Sequence, residues 1–142
     1  MTPTTAQPCI SVADFHRLLA EQHPFAEMLG IQITDIGYGT ARAVLPARPG
    51  HQRLGGIVAG PMLMGLADLA LYAAVVGATG QPGAVTASLT INFLRKSPAG
   101  NVIAEARLLK TGRLAAGEVM LRGEHAPEPV AHVVSTWSVP AP

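Results

Sequence analysis

The sequence predicts an α+β domain in which an antiparallel sheet of five to six strands wraps around a long central helix. The run from Gly60 to about Gly77 has the length of a helix and is apolar on every side, and such a helix needs a sheet curled around it. Two runs before it and four after it have strand character, and the short connections among the last four imply antiparallel neighbours. At 142 residues and 49% apolar content, the chain can bury one sizeable core without disulfides. Aromatic content of 4% leaves that core to Ala, Val, Leu, Ile and Met, which suits close packing of helix on sheet.

In chain order, residues 1–10 read as a short frayed terminus, and 11–139 as the single domain. SVADFHRLLAE (11–21) sets Val12, Phe15, Leu18 and Leu19 at helical spacing behind Ser11, a cap residue, with Asp14 three positions on. Pro24 to Leu29 adds another turn that Gly30 stops. IQITDI and TARAVLPA alternate around Gly37-Tyr38-Gly39, which predicts a tight hairpin ended by Pro46 and Pro49. ARPGHQRLGG (47–56) is a loop by composition. The central helix opens at Gly60-Pro61, with Pro in the first turn where its missing N–H is harmless, and closes near Gly77. In the next run Val85, Ala87, Leu89, Ile91 and Phe93 fall on one face, and Thr86, Ser88, Thr90 and Asn92 on the other. Turns at Pro98-Ala-Gly100, at Gly112 or Ala116-Gly117, and at Pro127 to Pro129 separate the remaining strands.

Net charge is +1 and the ten Lys and Arg are scattered, so no electrostatic footprint for nucleic acid or an anionic membrane surface is present. Cys9 is the only cysteine and has no mate, which fits a reducing cytoplasm; the first ten residues lack the basic and apolar regions of a secretory signal. Taken from Pro61 to Val76, the apolar helix spans about 24 Å, short of the ~30 Å hydrocarbon core of a bilayer. The five histidines, His16, His23, His51, His125 and His132, show no metal-binding spacing, so neither metal nor cofactor is expected, and His51 reads as a surface-loop residue.

Between Arg53 and Arg95 the only charged residue is Asp68, in the middle of the apolar helix. An isolated buried charge costs several kcal/mol or takes up a proton, so a carboxylate placed there is a candidate for chemistry.

Around that residue the chain resembles the hotdog-fold acyl-CoA thioesterases of the phenylacetate-degradation (PaaI-like) type. Their signature is an Asn, a Gly three residues on, His-Gly-Gly three further, and an acid nine positions after that His. Gly56, Gly60 and Asp68 match it, while Arg53, Ala59 and Pro61 stand where the family has Asn, His and the last Gly. The similarity runs from about Gly30 to Val139 and includes Thr86 to Arg95 and the Lys110-Thr-Gly-Arg113 turn. The resemblance implies hydrolysis of acyl-CoA thioesters. Asp68 would then be nucleophile or general base, the Gly60 N–H a donor to the oxyanion, and Thr86 the holder of the lytic water. Arg53 would bond the thioester carbonyl in place of the missing Asn or pair with Asp68 across an interface; an ordinary solvated arginine is the alternative. Arg95, Lys96 and Arg113 would meet the phosphates of coenzyme A or form a solvated rim, and Leu63, Met64 and Tyr72 would shape the acyl pocket. The losses at Arg53 and Ala59 keep open a second reading, a non-catalytic acyl-CoA binding or sensing domain.

Geometry adds an expectation that needs no family. Gly60 and Asp68 lie eight residues apart, about 12 Å along one helix, whereas both groups must come within ~3 Å of the reacting atoms. One helix cannot supply both to one carbonyl. Two antiparallel helices across a two-fold axis can, which predicts a homodimer or a dimer of dimers with a shared site.

Overall fold

The computed structural model describes residues 6–142. Helices α1 (Val12–Gln22) and α2 (Pro24–Leu29) precede strands β1 (Gln32–Ile36) and β2 (Thr40–Leu45). A two-stranded ribbon, β3 (Gln52–Arg53) and β4 (Ile57–Val58), leads into α3 (Gly60–Thr79). Strands β5 (Val85–Phe93), β6 (Val102–Lys110), β7 (Leu114–Gly123) and β8 (Pro129–Ser138) complete the chain. The six long strands form one antiparallel sheet in the order β1-β2-β6-β7-β8-β5. It wraps α3, which packs on β2, β6 and β7.

Local chemistry explains most of these elements. Ser11 caps α1 by accepting from the Asp14 N–H at 3.1 Å. The β1–β2 turn closes with the Gly37 N–H on the Thr40 carbonyl at 2.8 Å. Helix and sheet approach closely because small residues line the contact, including Ala67, Ala70 and Ala74 of α3 and Ala43, Ala104 and Ala115 of the sheet, all fully buried. At Gly117 of β7 a Cβ would lie 2.8 Å from the Arg107 carbonyl oxygen, backbone of the neighbouring strand, and 2.7 Å from Leu71 Cδ1, so the contact requires glycine there.

Several expectations are corrected. Cys9 is not frayed: its N–H donates to the Gly77 carbonyl at 2.7 Å, so the chain is docked before Ser11, while residues 1–5 of the expected frayed segment lie outside the described residues. The segment 47–56 is not a plain loop but carries a 3-10 turn and half of the ribbon. His51 within it is buried, with Nδ1 bonded to the Pro46 carbonyl at 2.8 Å and its own carbonyl accepting from Ala59 N–H. α3 runs past Gly77 and stops at Gly80, which takes the left-handed conformation at φ 67°. At 20 residues it is long and apolar enough to cross a membrane, so the length argument fails; packing answers instead, since 72% of its most apolar window is buried inside the fold. β5 does not pair with β6 but lies at the sheet edge beside β8, because the segment 94–101 carries the chain across to β2.

Candidate active site

α3 is not buried on all sides. Pro61, Met64, Gly65 and Asp68 stand at positions i, i+3, i+4 and i+7 and form a stripe that the chain's own sheet leaves open. Met64 is 41% exposed and Asp68 is half-buried. Beside this stripe runs β5, an edge strand with no buried residue along its length. Phe25 from α2 flanks it, 47% exposed.

A bulge decides which β5 residue meets Asp68. Thr86 is paired with Trp137 and Ser88 with Thr136, so Ala87 is the extra residue and the alternation changes phase. Thr86 thereby shares the helix-facing side with Leu89, Ile91 and Phe93, while Val85 turns outward; the simple alternation read from sequence had placed Thr86 on the opposite face. Its Oγ1 donates to Asp68 Oδ1 at 2.6 Å. Burial pushes the Asp68 carboxyl above its ordinary value, and the Thr86 hydroxyl and the charge of His23 each pull it part of the way back.

Two cavities meet at this pair, and a third lies at the start of α3. The first, about 360 Å³, is bounded by Phe25, Pro61, Met64, Gly65, Asp68, Thr86 and Leu89. The second, about 300 Å³, runs from Asp68 and Thr86 to His23, Tyr72 and Trp137. Asp68 and Thr86 belong to both, so their hydrogen bond stands between them. The third, about 720 Å³, gathers Arg53, Gly60, Leu63, Phe93, Arg95, Lys96 and Ser97 around the start of α3. There Ala59 offers no capping side chain, Pro61 has no N–H, and the Met62 N–H turns back to the Ala59 carbonyl. Among the described residues the Gly60 N–H has no backbone partner and is left as a donor at the helix start, where the dipole adds partial positive charge.

The structure thus brings Arg53, Gly60, Leu63, Arg95 and Lys96 together, and separately Met64, Asp68 and Thr86. It does not bring Arg113 to the other two cations within one protomer. Arg113 precedes Leu114, which is level with Ser138 and Val85 at the start of β5, whereas Arg95 follows its end, a strand length of roughly 30 Å away. Arg95 also donates to the Pro129 carbonyl. Tyr72 is a core residue whose hydroxyl donates to the Pro82 carbonyl at 2.6 Å. His23 and Trp137 were not found from sequence; no spacing links them to Asp68, and only the packing of α1 and β8 on α3 brings them to one cavity.

Comparison with known proteins identifies the fold and the superfamily. The signature of the thioesterase superfamily matches residues 55–116. A crystal structure from Silicibacter sp. TM1040, provisionally named a thioesterase, is 33% identical, with 95% of this chain and 95% of that chain covered and a TM-score of 0.85. A mutant of the phenylacetic acid degradation protein PaaI from Thermus thermophilus is 28% identical over 82% of this chain and 99% of its own, with a TM-score of 0.74. A provisionally named esterase from Saccharolobus solfataricus is 29% identical over 106 residues, 75% of this chain and 70% of that protein.

Proposed function

The chain belongs to the thioesterase superfamily as a hotdog-fold protein of the PaaI type, and from that premise we propose that it hydrolyses acyl-CoA thioesters to a free acid and coenzyme A at a site shared by two protomers. The observation that carries the reading is the Asp68–Thr86 pair on an open helix stripe, about 12 Å along α3 from the free N–H at Gly60. A second copy laid antiparallel supplies what one helix cannot. Two features support that arrangement: the free edge of β5, and the exposed apolar side chains Phe25, Met64 and Phe93 that would otherwise face water.

Asp68 of one protomer acts as general base on a water held beside Thr86. The water attacks the thioester carbonyl, the Gly60 N–H of the second protomer bonds the developing oxyanion, and collapse expels the coenzyme A thiolate. Arg53, Arg95 and Lys96 give the Gly60 cavity a positive rim suited to the anionic cofactor end of the substrate. Leu63 and Met64 line the path of the acyl group.

Turnover of a panel of aliphatic and aromatic acyl-CoA thioesters tests the proposal directly. Hydrolysis of at least some members supports it; tight binding of the panel without release of thiol supports the non-catalytic binding reading that the Arg53 and Ala59 departures permit. Thr86→Val is expected to lower kcat/KM by about 10- to 100-fold, the equivalent of one hydrogen bond to a charged group. Because the Thr86 hydroxyl holds the carboxyl down, the same variant moves the acid limb of the pH profile to higher pH. An unchanged limb contradicts the assigned role of Thr86.

A further inference from the structure

We propose that His23 is a positioning residue for Asp68 and that the cavity they share is a water site: the imidazole Nδ1 and the Trp137 indole N–H hold water behind the carboxylate and orient it toward the open face. The inference rests on the reading of Asp68 as the base and extends it to the α1–α2 junction and to β8.

Two side-chain nitrogens on this cavity, His23 Nδ1 and Trp137 Nε1, are buried and have no hydrogen-bond partner among the described residues. Trp137 is 2% exposed. A buried polar group without a partner costs about 1–3 kcal/mol, and two on one cavity point to one polar occupant. With about 300 Å³ the space admits several waters. Tyr72 does not satisfy either nitrogen, since its hydroxyl donates to the Pro82 carbonyl. The His23 backbone is anchored at the α1–α2 junction, its amide N–H donating to the Leu19 carbonyl and its carbonyl accepting from the Ala26 N–H, and the ring lies 6.1 Å from that of Tyr72.

Among the described residues lining this cavity, the ionisable groups are Asp68 and Tyr72 of α3 and His23. α1 contributes Leu18 and Gln22, the segment 82–86 contributes Pro82, Ala84, Val85 and Thr86, and β8 contributes Trp137. The cavity on the other side of Asp68 adds Phe25, Pro61, Met64, Gly65 and Leu89, none of them charged. Among the described residues of one protomer, His23 is therefore the cation-forming side chain on the two cavities that Asp68 lines. A half-buried base must be ionised to take a proton, and an opposing positive charge across ordered water favours that form.

Carbon-13 NMR titration of the Asp carboxyls in the substrate-free protein tests this, with the Asp68 signal identified by its loss in Asp68→Asn. In His23→Gln, and in His23→Asn as a second variant, the Asp68 midpoint is expected to move to higher pH with the fold intact. The variants are expected to lose several-fold more kcat/KM at about pH 5 than at about pH 8, with little change in KM. An unmoved Asp68 midpoint in both variants overturns the proposal. So does a raised KM with an unmoved midpoint, which means that the acyl group fills the cavity. The carboxyl titration uses no substrate, so its failure is distinguishable from failure of the thioesterase reading, which rests on turnover.

Discussion

Asp68→Asn is expected to lower kcat for thioester hydrolysis by about a thousandfold or more and, in the same protein, to raise Tm at neutral pH. The first effect follows from removing the base: an amide of nearly the same shape keeps the contact with Thr86 but cannot take a proton from water. The second follows from the cost of the charge. Burial holds the Asp68 carboxyl above its ordinary value, so the folded chain binds a proton there more readily than the unfolded chain does. Stability contributed by this residue falls as pH rises from the ordinary carboxylate range through the higher folded value, and at neutral pH the ionised side chain opposes folding. The substitution relieves that opposition, a gain in stability at the expense of function. Thermal melts at neutral pH and turnover under the same conditions check both parts. A lowered Tm with activity retained contradicts the assignment of Asp68 as a strained functional group.

Gly77→Ala is expected to destabilise the fold by about 2 kcal/mol. Helix propensity alone argues the other way, since alanine gains about 1 kcal/mol over glycine inside a helix. Position decides against it. A Cβ at Gly77 would lie 2.5 Å from the Gly37 carbonyl oxygen and 2.8 Å from Ile36 Cγ2, and the first of these is backbone of the β1–β2 turn that cannot swing aside as a side chain can. Relief requires moving that turn away from α3, and with it the seat of the Cys9 N–H on the Gly77 carbonyl. Urea unfolding of the variant measures the loss; an increase in the midpoint would show that the turn yields freely.

The same glycine shows why some features were legible and others not. Ser11, Gly30, the Gly37-Tyr38-Gly39 turn and the Gly60-Pro61 start are local signals, written in residues that cap or turn the chain where they stand, and the structure agrees with them. Gly77 resembles a helix stop, yet its use is a close approach to another element, and the stop is Gly80. Asp68 was legible because a lone charge among apolar residues is costly wherever it lies. Its surroundings were not. The phase change at Ala87 that aims Thr86 inward, the placement of β5 at the sheet edge, and the meeting of His23 with Trp137 are all set by tertiary pairing, which alternation and spacing do not encode. Arg113 illustrates the converse: charge type groups it with Arg95 and Lys96, and within one protomer the strand between them holds it a strand length away.

The central claim is that two protomers each supply half of one site, and hybrid dimers test it most directly. Asp68→Asn and Gly60→Val, carried on differently tagged chains, each remove one half; at position 60 even a Cβ would reach Phe93 Cζ at 3.2 Å and crowd the cavity around the free N–H. Each variant alone is expected to be nearly inactive. Doubly tagged hybrids isolated after co-expression are expected to recover roughly half of the wild-type rate, because one of the two sites then pairs an intact Asp68 with an intact Gly60. Hybrids as inactive as their parents would mean that both groups act within a single chain, contradicting the shared site.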